Sequence, residues 1–259
     1  SFIWVILNSF KPRGLIRSDT FSLPIGDKFT LENYVTAFKR VDIGTAYVNS
    51  IVISGAVTVV VMVLAGLAAY AMVRYSFRLR GFLHSMIIAS MMFPVFSTII
   101  PVFRMESSWG IVNTGSIWLT RLSVVLPQIA GNLSFAIIVL MGFIRSLPVD
   151  LEEAAYLEGY NVYQIFFRII MPLAKPSFAT VGIFTFLWSY NDLFLQMFFL
   201  RSKKFFTITR LLNEISSQAG TNYGLMVAAV VMVVIPVLVV YIFLQNYIIK
   251  GMTAGAVKG

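Results

Sequence analysis

Four of the chain's eleven acidic residues, Asp150, Glu152, Glu153 and Glu158, fall within nine positions. A carboxylate cluster raises the question of catalysis or metal binding, and the rest of the sequence answers it. There is no cysteine and a single histidine, His84, so thiolate chemistry, disulfides and a histidine-based zinc site are excluded by supply. No lysine is followed by serine or threonine, so the phosphate-cradling G-x-x-x-x-G-K-[S/T] loop is absent and the chain cannot hydrolyse ATP by that device. The cluster reads as the polar face of a docking element, and His84, set among basic and apolar residues, reads as interfacial.

The local grammar around the acids predicts two short helices. Ser146 can cap the first, with Pro148 and Asp150 in its opening turn, Ala154 and Ala155 inside it and Gly159 as its stop. Asn161 can cap the second, in which Val162, Ile165, Phe166, Ile169 and Ile170 form one apolar stripe, with Pro172 and Pro176 ending it. A second candidate is the polar cluster Ser189-Tyr190-Asn191-Asp192, with Trp188 beside it, near the end of an apolar run. A carboxylate at that depth is costly and is a functional candidate by default.

The elements that must hold these groups are membrane spans. The 259 residues are 58% hydrophobic and 12% charged, with a mean hydropathy of +0.84, which excludes an ordinary soluble domain. The fold class expected is all-α and polytopic, with about six transmembrane helices of roughly 20 residues, and no room is left for a separate nucleotide-binding domain. Ser1 to Phe10 reads as the tail of a first span whose beginning is missing, and residues 11–45 as a polar loop. Further spans are expected at about 48–73, 82–103 (kinked at Pro94 and Pro101), 118–144, 177–200 and 223–247. As domains this gives residues 1–45, a permease core at 46–248 and a tail at 249–259.

The net charge of +9 in so apolar a chain reads as membrane-flanking anchors in contact with lipid, not as a nucleic-acid site. With the acidic loop inside, eight basic residues lie inside and twelve outside, so orientation does not follow from the positive-inside rule.

The acidic loop resembles the conserved loop of bacterial ABC importer permeases, E-A-A, three residues, G, nine residues, I, one residue, L-P. Here Glu153-Ala154-Ala155, Gly159, Ile169 and Met171-Pro172 keep every spacing, and Met171 is the one departure. Ser9-Phe10-Lys11-Pro12, Leu31-Glu32-Asn33-Tyr34, Asn49-Ser50, Asn191-Asp192 and the closing T-A-G-A-V-K-G are similar to the second membrane subunit of maltose-type sugar importers.

The resemblance implies a type I importer fold in the cytoplasmic membrane of a prokaryote, a permease subunit rather than an enzyme. It implies a second homologous permease, two ATPase subunits and an extracytoplasmic sugar-binding protein as partners. No cofactor is expected on this chain; ATP and magnesium belong on the partner ATPase. By resemblance Glu152, Glu153, Ala154, Ala155, Gly159, Ile169 and Pro172 belong to the ATPase-coupling loop. Thr253, Ala254, Gly255 and Lys258 would lie at the ATPase interface, the 201–223 loop would face the binding protein, and Trp188, Tyr190, Asn191 and Asp192 are candidates for the sugar pathway. Two rivals stay open: the same fold serving a peptide, amino acid or polyol, and an ion-driven secondary transporter.

Overall fold

The computed structural model describes residues 2–40, 42–219 and 222–256, and among these every regular element is helical. A short helix α1 (Phe2–Ser9) leads through α2 (Arg13–Ser18) and α3 (Glu32–Arg40) to the long α4 (Ile43–Arg74). Asp42 caps α4, its carboxylate accepting from the Thr45 amide at 2.9 Å and from the Thr45 hydroxyl at 2.5 Å. Val, Ile, Ala, Leu and Gly make up 22 of the 32 residues of α4, which spans roughly 48 Å, ample for a bilayer.

The expected third span is not one helix. Residues 80–108 form α5 (Arg80–Ser90) and α6 (Val95–Ser108), bent by 105° at the break. Pro94 accounts for it: a proline cannot donate an amide and holds the residue before it extended, so the helix stops at Ser90 and restarts after Pro94. Pro101 is accommodated inside α6. The long α7 (Ile117–Ser146) follows and packs extensively against α4.

Beyond α7 come α8 (Asp150–Leu157), α9 (Val162–Leu173) and α10 (Lys175–Asn191), the last two meeting at 82°. Then α11 (Leu193–Phe199) and α12 (Ile208–Ala219) lead to α13 (Tyr223–Ala256). The expected fifth span, 177–200, is interrupted at Asp192, which ends α10 and caps α11 by accepting from the Leu195 amide at 3.2 Å. Among the described residues α4 and α7 are each long and apolar enough to cross a membrane alone, the bent pairs α5/α6 and α9/α10 bring the candidates to four, and α13 opens with an apolar stretch at Tyr223–Val239.

The core sits where α4, α7 and α10 meet. Small residues on α4 permit the close approach: a Cβ added at Gly66 would stand 2.8 Å from Cζ of Phe178 and 3.0 Å from that of Phe166. Tyr47 donates to the Met232 carbonyl, linking α4 to α13.

Candidate functional site

Each end of α8 is built differently from expectation or in agreement with it for a local reason. Ser146 does not cap α8; its hydroxyl turns back to the Phe143 carbonyl at 2.7 Å and finishes α7. The N-cap position is Val149, with no side-chain cap, while Asp150, Glu152 and Glu153 place three negative charges against the free amides of the first turn. At the other end Gly159 adopts φ +84°, and the Tyr160 and Gly159 amides reach back to the Ala155 and Tyr156 carbonyls, both at 3.0 Å. This is a Schellman closure, which needs a left-handed residue at that point.

Asn161 caps α9 reciprocally: its side chain accepts from the Gln164 amide at 2.9 Å, and Gln164 accepts from the Asn161 amide at 2.8 Å. Within α9 the segment Phe166–Ile170 widens into a π-turn, and Pro172 follows inside the helix instead of ending it. The wider turn takes the Met171 amide to the Phe166 carbonyl, a register shift that makes room for a residue without an amide of its own. The chain turns only at Ala174, and Pro176 opens α10. Of the apolar stripe, Ile165, Phe166 and Ile170 are buried, Ile169 is half-buried and Val162 is exposed.

The predicted coupling residues separate into two faces. Glu152 is buried and turned towards α4: its Oε1 lies 2.5 Å from Nε of Arg74, and its Oε2 accepts from the Tyr70 hydroxyl at 2.7 Å. Arg74 donates in addition to the Leu147 carbonyl at 2.9 Å. Beside them the Tyr75 and Tyr156 hydroxyls are 2.8 Å apart, and this contact, then burial, holds the Tyr156 phenol above the ordinary tyrosine range. Ala155 is buried as well.

Glu153 and Ala154 face away from the bundle, as does Leu157, which is 91% exposed. A cleft of about 440 Å³ runs between α8 and α9 and is lined by Ala154, Ala155, Ile169 and Pro172 together with Leu151 and Leu173. Four motif residues from two helices thus share one surface.

Trp188, Asn191 and Asp192 come together in the wall of a cavity of about 350 Å³ between α6, α7 and the α10/α11 break. Tyr190 does not join them: it is 4% exposed, stacked on Phe186 at 5.9 Å, on the side of α10 that faces the core. Two residues on from Trp188 a helix has turned about 200°. Ser189 of the predicted polar cluster lines the cavity too, and sequence reading missed Gln128 and Asn132, which complete its polar wall. Their signal was visible, since Gln128 and Asn132 are amides one turn apart in an otherwise apolar span.

These groups form a chain of hydrogen bonds. Gln128 donates to Asp192 at 3.1 Å and accepts from the Ser189 hydroxyl at 2.6 Å; Gln196 donates to the Ser189 carbonyl at 3.1 Å and accepts from Thr207. The 201–207 loop is pinned from α4 by Asn49, which donates to the Phe206 carbonyl at 3.0 Å, and by Ser50, which accepts from the Ile208 amide at 2.8 Å. At the amino end Asn33 donates to the Ser9 and Lys11 carbonyls at 3.0 and 2.8 Å, and the Tyr34 and Ser9 hydroxyls are 2.6 Å apart. The Lys11 ammonium is wholly buried and donates to the Asp19 and Thr20 carbonyls at 2.9 and 3.1 Å. Thr253, Ala254 and Gly255 lie in the last turns of α13, and Lys258 lies outside the described residues.

The profile of the family described as "Binding-protein-dependent transport system inner membrane component" matches residues 41–254. The chain belongs to that family. It is accordingly a multi-pass inner-membrane transport component and not an enzyme. It is 34% identical over 258 residues to the diacetylchitobiose uptake system permease protein NgcG of Streptomyces coelicolor, covering 99% of this chain and 83% of that one. It is 32% identical over 259 residues to the trehalose transport system permease protein SugB of Mycobacterium tuberculosis, covering 99% and 91%. A solved bacterial ABC transporter involved in the import of the acidic polysaccharide alginate shares the fold, with a TM-score of 0.81 and 24% identity over 95% of this chain and 89% of that one.

Proposed function

We propose that this transport component is one of two homologous permease subunits of an ATP-driven importer that carries an oligosaccharide across the cytoplasmic membrane of a prokaryote. Its partners in this reading are a second permease, two ATPase subunits and an extracytoplasmic sugar-binding protein. ATP and magnesium are held by the ATPases, and this chain binds no cofactor. The two relatives named above, permease proteins of a diacetylchitobiose uptake system and a trehalose transport system, support a sugar as cargo.

One observation carries the reading. The α8/α9 loop offers a cleft lined by Ala154, Ala155, Ile169 and Pro172, while its buried Glu152 is tied to Arg74 and Tyr70 of α4. A rigid ATPase contact engaging Glu153, Ala154 and the cleft would move α8, and the ion pair would carry that displacement into α4 and the bundle. The end of α13, with Thr253, Ala254 and Gly255, would lie beside the ATPases, and the 201–223 loop would meet the binding protein.

Uptake of labelled oligosaccharide by cells carrying the whole system tests this. It should stop on ATP depletion and survive collapse of the ion gradients; the opposite pattern would make the chain part of an ion-driven transporter. A peptide or amino acid as the binding protein's ligand would move the cargo, not the mechanism, to the rival reading.

A further inference from the structure

The cavity at the α10/α11 break adjoins a second one, of about 460 Å³, and the two share Val95, Ile99, Pro127, Gly131 and Leu195. Each falls within the range of small-molecule pockets, about 300 to 1,000 Å³. Their walls have one chemical peculiarity: among the described residues no lysine or arginine lines either cavity, whereas Asp192 lines the first. In a chain of net charge +9 this is a local reversal of sign.

The polar groups there are fixed in place. Gln128 is 3% exposed and held on two sides by Ser189 and Asp192. Asn132 donates to the Gln128 carbonyl at 2.7 Å and Asn191 to the Leu187 carbonyl at 2.8 Å, so each amide is oriented with its oxygen unengaged among the described residues. Trp188 is 47% exposed and braced by Phe135 and Phe184, with ring centroids 4.8 and 5.7 Å away; Phe96 and Phe194 form an edge-on pair in the same wall at 4.8 Å.

An open indole beside oriented amide oxygens matches a pyranose, whose C–H face is apolar and whose rim is a ring of hydroxyl donors. A carboxylate without a cation opposes an anionic ring. We infer that this cavity is a subsite for one ring of a neutral sugar, with Trp188 stacking on it, Asn132 and Asn191 accepting from its hydroxyls, and Asp192 excluding uronic acids. The inference rests on the importer reading above and names its cargo class. It sets this chain apart from the alginate importer whose fold it shares.

The test uses the whole complex in nanodiscs, trapped outward-facing with ADP and vanadate, and reads tryptophan fluorescence. The probes are maltotriose, N,N′-diacetylchitobiose and trigalacturonate. At least one neutral probe should quench saturably, the quench should vanish in Trp188→Phe, and Asn132→Ala should weaken the binding about three- to tenfold, the loss of one hydrogen bond. Asp192→Asn, which retains a good helix cap, should admit trigalacturonate. Vanadate-sensitive ATPase activity in each variant controls for folding. Equal quenching by neutral and acidic probes in the wild type would overturn the inference, as would no Trp188-dependent signal from either neutral probe in a complex that still imports sugar on ATP. A wild-type complex that imports no sugar on ATP would remove the parent reading instead.

Discussion

Arg74 and Glu152, 78 residues apart in sequence, meet at 2.5 Å, both side chains largely buried, where the C-terminal end of α4 touches α8. Removing one partner leaves a buried charge unmatched, which costs about 3–5 kcal/mol. Glu152→Gln or Arg74→Ala should therefore lower the melting temperature of the assembled complex and break the ratio of sugar imported to ATP hydrolysed. The triple variant Arg74→Met, Tyr70→Phe, Glu152→Leu removes all three polar partners and should regain most of the stability without regaining that ratio. Melting curves and paired uptake and ATPase assays on the same preparations would separate the two effects.

Gly159 stands at φ +84° with open space around its missing Cβ, so only backbone strain opposes a side chain there. Gly159→Ala should cost about 1 kcal/mol and leave uptake reduced. Gly159→Asp and Glu153→Lys, which change the exposed charge, should abolish uptake while membrane insertion, followed by immunoblot of washed membranes, is unchanged.

At Gly66 the opposite holds, since the space is filled by Phe178 and Phe166. Gly66→Val should destabilise the α4/α10 contact by about 1–3 kcal/mol through overpacking. Compensation by Phe178→Leu in the double variant, read by thermal melting, checks that the clash is the cause.

Asn49 holds the carbonyls of Lys204 and Phe206 and receives Arg121 at 2.8 Å. Asn49→Ala leaves these groups without partners, at about 1–3 kcal/mol, and should loosen the 201–207 loop. Limited trypsin digestion, which cuts after Arg201, Lys203 and Lys204, should then be several-fold faster than in the wild type.

Much of this architecture was legible in the residues. The apolar runs marked the spans, and Gly159 and Asn161 marked the helix ends because each supplies something local, a left-handed backbone or a capping amide. Where tertiary partners compete for the same group, local reading failed. Ser146 had an equally good acceptor behind it at Phe143, and Pro172 was absorbed by a π-turn that no local pattern announces. Pro94 was recognised as a kink, yet the extent of the bend depends on what α5 and α6 pack against. Glu152 was grouped with Glu153 because adjacent acids look alike in sequence; only Arg74 and Tyr70, some eighty residues earlier, distinguish them. Tyr190 was grouped with Trp188 by proximity, although helical rotation sends the two to opposite sides.

The most direct measurement is a cross-link, made simple by the absence of native cysteine. Ala154→Cys, on the exposed face of α8, would be paired with single cysteines introduced around the surface cleft of the ATPase subunit in the purified complex. The account predicts rapid disulfide formation at Ala154→Cys and none from a cysteine placed at the opposite end of the bundle, at Ser202. Cross-linking from Ser202→Cys with none from Ala154→Cys would contradict it.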